Sequence, residues 1–164
     1  MTKICNALTR QTFEQIISLA LQDNLCVQAW LGYAETLFLG FGNTIMPHTP
    51  FGQSHPHPPF ELHTHCADWV IRSAQGVIGT NENERRQAEE AANQLVGRRI
   101  VGWHFPEALT NLTVHFEGDF MLSLTGPSIS ALSPEDRDED AWTCTTAQGK
   151  YYTISCSGEL AITD

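Results

Sequence analysis

At 164 residues, with 41% apolar content, eight Phe and four Trp, the chain has the apolar mass for one domain with a full core, which excludes global disorder. Nine basic against nineteen acidic residues leave a net charge of −10. That excess opposes a phosphate-tracking surface, where Lys and Arg carry the affinity, so nucleic acid is set aside and a basic partner is favoured.

Along the chain, the first residues carry no apolar core of a signal peptide, and no run approaches ~18 apolar residues. A soluble, cytoplasmic protein without membrane contact is expected. Thr12 with Gln15 fits a capping box, and Phe13, Ile16, Ile17 and Ala20 recur at helical spacing, with Asn24 as a left-handed stop. Leu37, Leu39 and Phe41 alternate up to Gly42 and predict a strand. A Pro- and His-rich loop over 43–59 follows, then the alternating stretch 60–66. Strands are predicted around Trp69–Ile71 and after the Gln75-Gly76 turn. Asn81 or Asn83 caps a second helix with Ala88, Ala91, Ala92 and Leu95 on one face, Glu82 and Arg86 four apart, and Gly97 as its stop. Leu112, Val114 and Phe116, then Phe120, Leu122 and Leu124, predict a hairpin turning at Gly118-Asp119. After a loop over 126–140, strands follow around Trp142–Cys144 and from Tyr151 to Cys156, separated by Gln148-Gly149.

Trp30 and Trp103, Trp69 and Trp142, and the tripeptides starting at Ala74 and Ala147 share one offset of 73 residues. Self-similarity at fixed spacing points to internal duplication. The expected fold is therefore α+β: a helix-plus-antiparallel-strands unit occurring twice, about 10–82 and about 83–162, packed as one pseudo-two-fold domain of 1–164. Paired Trp at matching places are expected to be packing residues. Five cysteines without a CxxC are expected to be small buried hydrophobes, not a disulfide scaffold.

Two segments carry candidate chemistry. Five of the seven histidines fall within 48–65: His48, His55, His57, His63 and His65. On a strand, Glu61, His63 and His65 project from one face at ~6.5–7 Å intervals. With His55 or His57 they form a candidate zinc or iron set, the alternative being a solvent-facing strand beside a His-rich loop. His55, His57 and Glu61 imitate half of a cupin metal motif, but Pro56, Pro58 and Pro59 spoil a ladder strand and no later His supplies the fourth ligand. No Gly-x-Ser-x-Gly elbow and no phosphate-cradling Gly loop occurs, and Cys66 and His65, adjacent on a strand, point to opposite faces. The sequence therefore leans away from an enzyme without deciding it. The alternative is a small metal-binding protein or metalloenzyme that uses the His-rich segment 55–65, and no cofactor is expected beyond that alternative zinc or iron. The second segment is Glu135-Asp136-Arg137-Asp138-Glu139-Asp140. It is expected to be a flexible, strongly negative loop that captures a basic surface, with Glu107, Glu117 and Asp119 as rim contributors.

The stretch 60–66, then Trp69-Val-Ile-Arg72, then Gly76-Val-Ile-Gly79, resembles a pattern in small uncharacterised bacterial proteins, with Leu37–Gly42 upstream and Leu95–Ile100, the Gly118 hairpin and Trp142 downstream in matching order. The resemblance spans about 25–160. Ala67-Asp68 between Cys66 and Trp69, and Arg72 after Ile71, depart from it. Such proteins look like immunity or accessory proteins encoded beside bacterial toxins. The resemblance brings no established activity and no catalytic residues with it, and it favours a binding protein over an enzyme. Taken with the −10 charge and the acidic loop, it makes binding to a basic toxin domain, nuclease-like, the expected function.

Overall fold

A computed structural model describes residues 10–46, 57–127, 130 and 132–163. His48 and His55 lie outside the described residues. Helix α1 (Arg10–Leu21) buries Phe13, Ile17, Ala20 and Leu21, one face at helical spacing. Thr12 sits inside it, so the predicted capping box does not mark its start. The left-handed residue at its end is Asp23 (φ 59°), and Asn24 instead donates its side-chain amide to Ala20 O at 2.7 Å. Helix α2 (Arg85–Asn93) buries Ala88, Ala91 and Ala92. Asn81 and Asn83 do not cap it. Their carboxamide oxygens accept from Trp69 N and Thr80 N, which pins the turn leading into the helix. Arg85 pairs with Glu89 and Arg86 with Glu90, not with Glu82.

Among the described residues there are eleven strands: β1 (Leu25–Leu31), β2 (Leu37–Gly42), β3 (Phe60–Thr64), β4 (Asp68–Ser73), β5 (Gly76–Thr80), β6 (Ile100–His104), β7 (Leu112–Phe116), β8 (Phe120–Thr125), β9 (Asp140–Thr145), β10 (Tyr151–Ser155) and β11 (Leu160–Thr163). They form two antiparallel sheets, ordered β1-β2-β3-β9-β10-β11 and β5-β4-β8-β7-β6. Of the described residues, 43% are in strands and 20% in helices, so the chain is β-rich. This overturns the expected α+β fold built from a duplicated helix-plus-strands unit. Residues 10–82 do not pack as a unit: β1–β3 belong to one sheet and β4–β5 to the other. Likewise β6–β8 join β4–β5, while β9 and β10 join β1–β3. Among the described residues no helix is long and apolar enough to cross a membrane.

Apolar side chains of both sheets and both helices merge into one core. Trp69, on the second sheet, and Trp142, on the first, are fully buried, and each indole N–H finds a backbone carbonyl at 2.8 Å, Glu35 O and Leu109 O respectively. A buried indole needs such a partner, since an orphaned N–H costs about as much as a lost hydrogen bond. Phe13 of α1 packs its ring within about 6 Å of Phe105, Trp142 and Tyr152, which ties the helix to both sheets. Burying one such ring contributes on the order of 2–3 kcal/mol. Helix α2 lies against edge strands β1 and β5 and closes the opposite side. Strands β1 and β6 meet at an isolated antiparallel bridge, Leu25 to Arg99.

Candidate functional site

The first sheet presents an outward face built by strand alternation. Along β3, Leu62 and Thr64 turn inward and are buried, which leaves Glu61 and His63 on the outer face, with His65 following in the same direction. Cross-strand register then sets two rows. One is Glu61, Thr145 and Tyr151; the other runs Trp30, Phe38, His63, Thr143 and Thr153. In the second row Trp30 stacks on Phe38 at 3.8 Å and Phe38 on His63 at 4.8 Å. His63 and His65 meet edge to face at 4.3 Å, and His65 Nε2 shares a 3.0 Å hydrogen bond with Thr143 Oγ1.

This packing decides the ionisation of the histidines. Burial, aided by the neighbouring His65, pushes His63 down to about 4, and His63 Nδ1 is buried without a hydrogen-bond partner among the described residues. Burial also lowers His65, with Asp140 opposing the shift. Both rings are therefore neutral near pH 7, the form a metal would need. The geometry nonetheless separates the candidate set. His63 lies with His65, whereas Glu61 lies beside His57. Among the described residues no three of His, Cys, Asp and Glu converge closely enough to hold a metal ion.

Glu61 opens instead into a cleft of about 520 Å³. Its floor is the Glu61–Thr145–Tyr151 row. One wall is Pro58 and Pro59, and the other is the turn over 146–149. Pro58 reaches this place because Gly40 is bare: a Cβ there would lie 2.6 Å from the proline ring. The turn is fixed by Thr146 N–H donating to Lys150 O and Gly149 N–H, at φ 79°, donating to Thr146 O. Burial raises the Glu61 carboxyl above its ordinary range, and His57 pulls it back. Thr146 is only 9% exposed, and its Oγ1 is buried without a hydrogen-bond partner among the described residues. Thr145, Thr146 and Tyr151 were not singled out by sequence. Only the β3–β9–β10 register brings them to Glu61.

The acidic segment lies at the other end of β9. Glu135, Asp136, Asp138 and Glu139 are exposed and Asp140 is half-buried. The backbone is more constrained than a flexible loop. Residues Asp136–Asp138 form a single 3-10 turn, Ser133 Oγ donates to Asp136 Oδ2 at 2.7 Å, and Ser157 N–H, Cys156 N–H and Cys66 N–H donate to Arg137 O, Glu139 O and Asp140 O. Asp138 and Asp140 line a groove of about 300 Å³ with Thr153, Ser155 and Glu159. Glu159 was another residue the sequence reading missed. Among the described residues, the four ion pairs use Arg10, Arg85, Arg86 and Arg99, and none involves an acid of 135–140. The rim candidates are elsewhere: Glu117 and Asp119 sit in the β7–β8 hairpin of the second sheet, where Glu117 approaches Arg99 at 3.7 Å, and Glu107 lies between β6 and β7.

Of the described cysteines, Cys26, Cys144 and Cys156 are buried as expected of small hydrophobes, but Cys66 is exposed, and Cys5 lies outside the described residues. Its thiol donates to Glu139 Oε2 at 3.3 Å, and burial together with Glu139 and Cys156 pushes it up to about 12, which leaves little nucleophilic thiolate at neutral pH. No protein-family model matches the chain, and neither a curated protein nor a solved structure matches it.

Proposed function

We propose that this chain is an acidic binding protein whose outer face on the first sheet docks a basic protein domain, in the manner of an immunity protein that neutralises a nuclease-like toxin. The carrying observation is the acidic segment: five carboxylates in six residues, none ion-paired among the described residues, on a backbone strapped to β3 and β10. Unpaired surface charge of one sign steers a partner of the opposite sign and governs how fast it docks. Strapping the segment reduces the ordering cost at contact. The resemblance to immunity proteins supports the toxin as partner. A cytoplasmic location belongs to the same reading.

The test starts from the neighbouring gene, which on this reading encodes a basic toxin domain, and measures the binding of that domain to this chain. A one-to-one complex is expected, with association that slows steeply as salt rises. Neutralising Asp136, Asp138, Glu139 and Asp140 to their amides should slow association about tenfold and flatten the salt dependence. An unchanged association rate and salt slope would refute the electrostatic mechanism. Absence of any complex would refute the binding reading.

A further inference from the structure

The cleft beside Glu61 has the composition of a receptor for one kind of group. Its floor offers acceptors, the Glu61 carboxylate and the Thr145 hydroxyl, with His57 beside the carboxylate. Its sides are flat and apolar or aromatic, the rings of Pro58, Pro59 and Tyr151. Thr145 stands opposite Glu61 in the cross-strand register, so its hydroxyl and the carboxylate meet the cleft from the same face of the sheet. Glu61 is half-buried and, among the described residues, has no Arg or Lys partner. Tyr151 is 46% exposed, which leaves its ring open to a ligand.

We propose that this cleft binds a guanidinium group, with Glu61 as counter-ion, the Thr145 hydroxyl as neutral acceptor and the Tyr151 and proline rings as stacking walls. The planar guanidinium carries five N–H donors in a fixed fork and no acceptor, so it can satisfy a carboxylate and a hydroxyl together. It is more weakly hydrated than an ammonium and stacks on flat side chains, which suits a cleft that strips water from its ligand. Glu61, Thr145 and Tyr151 stand on three adjacent strands, so the acceptors are held by the sheet and need no ordering when the ligand arrives. An arginine side chain of the basic partner is the source this geometry favours, a step that rests on the binding function proposed above. The acidic segment and Glu61 would then divide the work. The first sets how fast the partner arrives, and the second how long it stays.

The probe is Nα-acetyl-arginine amide, followed by the backbone amide signals of residues 145–149 in two-dimensional NMR, with Nα-acetyl-citrulline amide as its uncharged isostere. The arginine amide should shift those signals saturably and the citrulline amide should not. Glu61→Gln should weaken the response about tenfold, and Thr145→Val, which keeps the side-chain shape, about threefold. Equal binding of citrulline, or undiminished binding by Glu61→Gln that retains the wild-type melting temperature, overturns the proposal. With the toxin domain, Glu61→Gln should speed dissociation and leave association unchanged. If dissociation also stays unchanged while the arginine amide still depends on Glu61, the partner clause is overturned and the source is a free guanidinium compound. Loss of the probe response with salt-steep toxin binding intact strikes the cleft alone. The converse strikes only the partner reading.

Discussion

The segment 135–140 and the stretch from Glu61 to His65 share the outer face of one sheet, yet they hold their ionisable groups in opposite ways. The first keeps Glu135, Asp136, Asp138 and Glu139 exposed on a strapped backbone, and only Asp140 is half-buried. The second desolvates its groups, so that Glu61 is raised, His63 and His65 are lowered, and His63 is clamped under Phe38. The difference is one of position in the sheet. Residues 135–139 precede β9 and are free of the strand ladder, while β3 is central, between β2 and β9. Charge at the rim acts at a distance, and charge in the middle acts on contact.

The contrast can be broken most forcefully at Leu62, the inward neighbour of both Glu61 and His63. It is 1% exposed, so Leu62→Ala should cost about 2–5 kcal/mol in urea unfolding, against near-neutral changes in 135–139. His63 gives a second, pH-dependent separation. Its folded value of about 4 lies below the ordinary 6.5, so the unfolded chain binds the extra proton. The stabilisation from a neutral His63 is complete above pH 6.5 and is lost as pH falls toward 4. After allowance for its partial exposure, wild type should lose about 1–2 kcal/mol more than His63→Asn between pH 7 and 4.5. Denaturation midpoints of the two proteins at each pH measure the difference. The smallest effect belongs to the acidic segment. The four amide substitutions there should move stability by less than about 0.5 kcal/mol in the same assay. A larger change would mean that these carboxylates support the fold and are not free for a partner.

Strands with one solvated face were legible from sequence. The alternations at 112–124 and 60–65 gave β7, β8 and β3 close to their bounds, because inward and outward residues differ in polarity. Strand β1 was missed for the converse reason. Cys26, Val27, Gln28, Ala29 and Leu31 are all buried, so both of its faces are largely covered and the period of two is erased. Strand β6 was obscured by exposed Val101 and the bulge between Ile100 and Gly102, and β11 by its four-residue length. With those strands absent, helices took too large a share of the expected fold. The site was half legible. Glu61, His57 and the acidic run stand out by residue type, but Thr145 is an ordinary residue at the end of a strand. It acquires significance only from β9 lying beside β3, a pairing across roughly eighty positions that no local pattern encodes.

That pairing also governs how the chain must find its shape. β3 is completed by β9, and β4 by β8, so each sheet is unfinished until the other half of the chain has arrived. Local hairpins such as β7–β8 can form early, but the two central seams close only after long loops have been drawn together, at an entropic cost levied before any contact repays it. Refolding should accordingly run in the milliseconds-to-seconds range typical of non-local β topologies. A polypeptide ending before α2 should stay unstructured until the remainder is supplied as a separate fragment. The face proposed to meet a partner is assembled from β3, β9 and β10, so it would come into being only with that last seam: before it closes, the chain has the acidic residues but no surface on which to display them.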